Sequence, residues 1–199
     1  MTLSRAALLA RLADPSLLAR AAPTASDDAE AGVAARGGLV EAAVLVPIIW
    51  RPEPSILLTL RAARLSSHAG QVAFPGGRLE PGETARAAAL RETAEEVGIH
   101  AGLPTIAAEL PPHLTGTGYR VTPVVASLDP PFDLSADPGE VAEIFEFPLA
   151  TVLDPAAPER RQQMFRGRVR EFWVWPHDRH LIWGATAAIL VNLQRILRP

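Results

Sequence analysis

Glu92, Glu95 and Glu96 follow one another at i, i+3 and i+4 in an alanine-rich stretch, a spacing that gathers three carboxylates on one side of a helix. Like charges so placed destabilise a helix by roughly 0.2–0.5 kcal/mol per pair. These also fall in its last two turns, where the macrodipole is already negative, and His100 is the nearest candidate cation beyond them. Two readings follow. One is a solvated acidic face. The other is a ligand set, because oxygen donors suit a divalent cation such as Mg2+ or Mn2+, which turns the repulsion into binding.

The element that must carry these carboxylates is a helix over Thr84 to Val97, alanine-rich, preceded by Pro81-Gly82 and stopped by Gly98. On a wheel of 100° per residue, Ala87, Leu90, Ala94 and Val97 share an arc of roughly 80°, and the three glutamates lie opposite. This predicts that the helix packs through the first set and turns its acids outward. Strands are expected at Ala42 to Trp50, Ser55 to Leu60, Val72 to Phe74, Ile106 to Leu110 and Tyr119 to Ser127. A hairpin around Gly167 is expected from Gln163 to Arg166 and Val169 to Trp175. Ser4 to Ala21 has helical spacing of leucines, broken near Asp14-Pro15, and Leu181 to Leu197 reads as a closing helix. Strands and helices mixed in this order predict one α/β domain, a mixed β-sheet sandwiched between α-helices, over 40–199. Residues 1–39 form a helical extension and a connector, the latter rich in Ala, Gly and Asp from Pro23 to Gly38.

Composition narrows the chemistry. The 199 residues hold no cysteine, which removes disulfides, thiolate catalysis and cysteine-ligated metals. A net charge of −3 gives no general grip on nucleic acid or an anionic membrane, so affinity for a phosphorylated ligand must come from a local cluster or a bound cation. The longest uncharged stretch, Leu181 to Gln194, is too short to span a bilayer. A cytoplasmic protein is the expectation. Trp173, Trp175 and Trp183 are expected to fill core or interface.

From Gly77 to Ile99 the chain reads GRLEPGETARAAALRETAEEVGI, which resembles the Nudix box at Gly77, Glu83, Arg91, Glu92, Glu95, Glu96, Gly98 and Ile99. Thr93 departs, at a position usually aliphatic. The resemblance implies a Nudix fold and a metal-dependent hydrolase that cleaves a diphosphate. It implies Glu95 and Glu96 as principal metal ligands, Glu92 as a further ligand or the base that deprotonates water, and a backbone carbonyl of Gly76 on the metal. Arg91 and Glu83 would pair to fix the loop against the helix. Metal ions suit this chemistry because they neutralise diphosphate charge and lower the pKa of bound water.

Upstream, LLTLRAARLSSHAGQVAFPGG (Leu57 to Gly77) is similar to the motif of coenzyme A pyrophosphatases within that family. Its second arginine is absent: Ser66 holds that position, and Arg64 lies two residues earlier. The resemblance implies coenzyme A or an acyl derivative as substrate, cut to 3′,5′-ADP and 4′-phosphopantetheine. The substrate's 3′-phosphate calls for a basic group, and Arg61, Arg64 and His68 are the candidates nearest in sequence. GYRVTPVV (Gly118 to Val125) and GEVAEIFEFPL (Gly139 to Leu149) extend the likeness, with Glu140 as a residue facing the metal site. Another nucleoside diphosphate derivative, such as ADP-ribose, a dinucleotide or a nucleoside triphosphate, is the alternative substrate. A Nudix-fold binding module without catalysis is the reading from another class. A homodimer is the expected assembly, because the N-terminal helix has apolar surface to place.

Overall fold

Val40–Ile49 is apolar on both faces, as a strand between two layers must be, and it forms the centre of the main sheet. The computed structural model describes residues 4–21, 23–26, 29–65, 67–165 and 167–198. In chain order the elements are α1 (Arg5–Leu12), α2 (Pro15–Leu18), β1 (Thr24–Ala25), α3 (Ala29–Arg36), β2 (Val40–Ile49), β3 (Ser55–Arg61), β4 (Val72–Ala73), β5 (Gly76–Arg78) and α4 (Ala85–Val97). They continue with β6 (Thr105–Glu109), β7 (His113–Leu114), β8 (Tyr119–Leu128), β9 (Val141–Pro148), α5 (Leu149–Leu153), β10 (Glu159–Phe165), β11 (Arg168–Trp175), β12 (Ile182–Trp183) and α6 (Gly184–Leu197).

β2 runs parallel to β8 along its whole length, from Val40 opposite Tyr119 to Ile49 opposite Leu128. On its other edge it takes β5 antiparallel at one end and β3 antiparallel at the other. β3 also pairs with β4 and β9, and β8 carries β6 and β7. The alternation along β2 divides two layers. Ala43 and Leu45 pack with Ala88 and Ala89 of α4 on one face; Ala42, Val46 and Ile48 pack on the other with α1 and α6. The sheet is therefore sandwiched between helices, and β10, β11 and β12 form a second, smaller sheet.

Four expectations need correction. First, the helix of the three glutamates is turned by roughly a third of a turn from its expected orientation. Ala88, Ala89, Thr93, Glu96 and Val97 are its buried residues, whereas Ala87 is exposed. Alanines at 88 and 89 let the helix approach the sheet closely, and the Thr93 hydroxyl satisfies itself on the Ala89 carbonyl at 2.6 Å. Second, the stretch read as a connector carries β1 and α3, and β1 adds to the main sheet beside β7. Third, the apolar face of α1 is covered by its own chain: Leu8 and Leu12 are fully buried in the cluster that contains α6. The surface offered as grounds for a homodimer is thus already occupied. Fourth, the closing helix begins at Gly184, because Ile182 and Trp183 pair with β11 first. The hairpin forms around Gly167 as expected, with a first strand that starts earlier, at Glu159. Trp175 is buried and donates to the Ala187 carbonyl, while Trp183 is exposed. Among the described residues no helix is long and apolar enough to cross a membrane.

Candidate active site

The Thr84 hydroxyl caps α4 by accepting the Ala87 N–H, and Gly98, at φ +76°, ends it in the left-handed conformation that glycine tolerates best. Between these caps the helix presents Glu92, Glu95 and Glu96 at three depths. Glu95 is the outermost, its side chain 60% exposed, while the Glu96 side chain is 4% exposed. Glu92 lies between, its carboxylate packed over Gly77 so closely that a Cβ there would stand 2.3 Å from Glu92 Oε1.

Gly76 is required on steric grounds. At Gly76, φ is +154° and a Cβ would stand 2.3 Å from the Ala43 carbonyl oxygen. The Gly76 N–H donates to Glu96 Oε2 at 3.1 Å, which ties the catalytic-loop candidate to the helix. On its other oxygen, Glu96 meets Arg61 Nη1 at 3.5 Å. Arg61 ends β3, and its buried Nε has no hydrogen-bond partner.

Arg91 gathers the outer acids. Its guanidinium meets Glu83 twice at 3.0 Å, Glu92 at 3.0 Å and Glu95 at 3.2 Å, and it donates to the Arg78 carbonyl at 3.1 Å. The pairing of Arg91 with Glu83 that the box implies is present. The Glu83 carboxyl is held below its ordinary range by the Arg91 hydrogen bond and by the Glu80 N–H.

The electrostatics of the inner acids run the other way. Burial pushes Glu96 up to about 7; the Gly76 N–H and Arg61 pull it back, and the charges of Glu140 and Glu92 push it further up. Glu92 is raised too, first by burial, against Arg91, with Glu95 and Glu140 adding to the rise. Glu140, just before β9, is exposed, yet its charge acts on both inner acids.

As they stand, no three acidic or imidazole side chains among the described residues converge at metal-binding distance. The donor chemistry nevertheless fits a hard divalent cation: buried, mutually repelling carboxylates beside a backbone turn, with surplus negative charge around Glu96. Glu92, Glu95, Glu96 and the Gly76 carbonyl are the oxygens available to hold one.

The remaining expected residues fall on the loop between β3 and β4. Arg61 closes it through two main-chain hydrogen bonds, its N–H donating to the Gln71 carbonyl and its carbonyl accepting the Gly70 N–H. Arg64 donates to the Pro138 and Gly139 carbonyls, so its guanidinium pins the loop to the entrance of β9. His68 adopts φ +57° and its Nδ1 lies 2.9 Å from Gln71 Oε1, an interaction internal to the loop. Ser66 lies outside the described residues.

Sequence reasoning missed Arg78, Tyr119 and Arg36, which meet at the other end of β5. Arg78 donates to the Tyr119 hydroxyl at 2.7 Å, and the Arg36 guanidinium lies 4.4 Å from the centre of the same ring. Arg78 sits inside the box, at a position its pattern leaves open; nothing local signals that Arg36, more than forty residues away, joins it.

A family model described as "NUDIX domain" matches residues 39–167. A protein of Photorhabdus laumondii described as "Uncharacterized Nudix hydrolase NudL" is 44% identical over 153 residues, covering 76% of this chain and 82% of its own. Its namesake from Escherichia coli O7:K1 is 43% identical over 154 residues, covering 77% and 80%. Among solved structures, a C. elegans Ap4A hydrolase is 28% identical with a TM-score of 0.47, covering 56% of this chain and 82% of its own.

Proposed function

The chain belongs to the Nudix hydrolase family, and we propose that its substrate is coenzyme A or an acyl-coenzyme A, hydrolysed at the diphosphate to 3′,5′-ADP and (acyl-)4′-phosphopantetheine. The observation that carries this reading is the contact of Arg61 with Glu96. It sets the loop with the coenzyme A-pyrophosphatase motif against the acidic helix, so substrate choice and hydrolysis meet at one end of β3.

In this reading Glu95, Glu96 and the Gly76 carbonyl would hold Mg2+ or Mn2+, with Glu92 either a further ligand or the base. When bound, the cation neutralises diphosphate charge and acidifies the attacking water. As the base, Glu92 would take a proton from the attacking water, and its raised affinity for a proton suits that task. Glu140, whose charge acts on both Glu92 and Glu96, is the second candidate for that proton. The new P–O bond forms on one phosphorus as the bridging oxygen leaves with the other phosphoryl group. Arg91 and Glu83 position the loop and do not touch the reacting atoms. Arg61, partly exposed beside Glu96, meets a substrate oxygen.

The experiment is product analysis by mass spectrometry after incubating the protein with coenzyme A and Mn2+. 3′,5′-ADP together with 4′-phosphopantetheine is the expected pair. Intact coenzyme A beside efficient cleavage of ADP-ribose, a dinucleotide or a nucleoside triphosphate would overturn the substrate assignment and leave the second reading. That second reading has one observation in its favour. Arg64 is engaged by backbone carbonyls and is not free to replace the arginine that Ser66 displaces.

A further inference from the structure

Most cations around the catalytic loop are committed within the chain. Arg61 faces Glu96, Arg91 faces Glu83, Glu92 and Glu95, Arg86 faces Glu109, and Arg120 faces Glu41. Arg64 is spent on main-chain carbonyls. Arg78 and Arg36 differ. Both are exposed, and neither has a carboxylate within ion-pair distance among the described residues. Yet both approach Tyr119, Arg36 over its face at 4.4 Å and Arg78 at 5.4 Å from the ring centre, with Arg78 bonded to the hydroxyl at 2.7 Å. The Thr117 carbonyl accepts from Arg36 Nε and fixes it there. The nearest acid in the register, Glu41 on β2, is engaged by Arg120 at 2.9 Å.

Two guanidiniums held around one ring repel each other, and an anion between them relieves that repulsion with charge-assisted hydrogen bonds. The place is also joined to the acidic helix through β5. Arg78 lies two residues beyond Gly76 on β5, roughly 7 Å at strand rise, and its main-chain carbonyl accepts from Arg91 at 3.1 Å. From these observations we infer that Arg36, Arg78 and Tyr119 form an anion subsite that takes a phosphate monoester on the ribose of the nucleotide half of the substrate. This deepens the coenzyme A reading and rests on it: the cation missing at Ser66 is supplied from β5 and from α3. It also gives the segment before the family domain a part in substrate recognition.

The test is calorimetric binding of adenosine 3′,5′-bisphosphate and of adenosine 5′-monophosphate, without metal and without turnover. The wild-type protein should bind the bisphosphate about tenfold more tightly than the monophosphate, with the difference shrinking in high salt. Arg36→Gln and Arg78→Gln keep a hydrogen-bond donor toward Thr117 and Tyr119 but remove the charge. Each should abolish most of the preference while changing monophosphate binding less than about twofold. Thermal melts of each variant separate a lost subsite from a lost fold, and Arg78→Lys, which restores charge without the fork, should recover part of the preference. Equal affinity of the wild type for both nucleotides, or a preference untouched in both folded Gln variants, would overturn the subsite. A preference with coenzyme A left intact supports the subsite and removes the coenzyme A reading; hydrolysis of coenzyme A with no preference does the reverse.

Discussion

α4 and α6 pack on opposite faces of one sheet and are built on opposite terms. α6 buries Ile189, Leu190, Val191, Leu193, Ile196 and Leu197, an apolar surface of the kind that stabilises a fold by about 25 cal/mol per Å2. α4 buries two alanines, a threonine, a valine and the carboxylate of Glu96. The alanines pack against Ala43 and Leu45 of β2 and Val124 and Ala126 of β8, and Glu96 is buried about two turns further along. One helix holds the domain together; the other accepts an unfavourable buried acid at the site proposed for the cation. The cost is visible in Glu96, pushed up to about 7 by burial against a single facing guanidinium.

The comparison can be broken at its sharpest point with Glu96→Gln. Turnover should fall roughly 10^3-fold, since a metal-ligand role is worth several kcal/mol. The metal-free variant should melt no lower than the wild type, because a charged buried group has been replaced by a neutral one of the same shape. Activity within tenfold of wild type would show that the buried acid serves the fold and not the reaction. On the opposite face, Leu190→Ala should cost about 2–5 kcal/mol in denaturant unfolding. Its turnover per folded molecule should stay near wild type; a parallel loss of turnover would tie the two faces together.

A third region sharpens the contrast, since it is polar and buried but structural. His113 on β7 is 3% exposed and lies 2.8 Å from the Thr24 hydroxyl and 3.3 Å from that of Ser26. Burial lowers its pKa from 6.5 to about 4. The folded state therefore favours the neutral ring. Its contribution is complete above pH 6.5 and is lost as pH falls toward 4, on the order of 3 kcal/mol in full. His113→Gln should flatten that part of the stability profile, measured by denaturant unfolding between pH 7 and pH 4. An unchanged slope would remove His113 as its source. The smallest effect belongs to the α4 cap: Thr84→Ala should cost about 1 kcal/mol and leave the glutamates in place. A fall in turnover beyond that loss of fold would show that the cap also sets the acid geometry.

Much of this was legible in residue order. The limits of α4 follow from Thr84 and Gly98, the central strands from unbroken apolar runs, and the acid set from its spacing. β9 is less legible, because VAEIFEFP mixes acids with apolar residues; an edge strand can keep polar side chains at its margin. The orientation of α4 was misread because alanine has almost no directional preference. A wheel cannot tell whether Ala87 or Ala89 faces the sheet, and here Leu90 is only half-buried while Glu96 is inside.

The sequence by itself determined the family, the element that carries the acids and the loop that neighbours them, since each depends on spacing within a few dozen residues. Only the tertiary structure decided which acid is buried, that Arg61 reaches Glu96 and that Arg64 is spent on main-chain carbonyls. It alone brought Arg36 beside Arg78. These outcomes depend on how closely layers approach and which distant segments share an edge, and local residue order does not encode such distances.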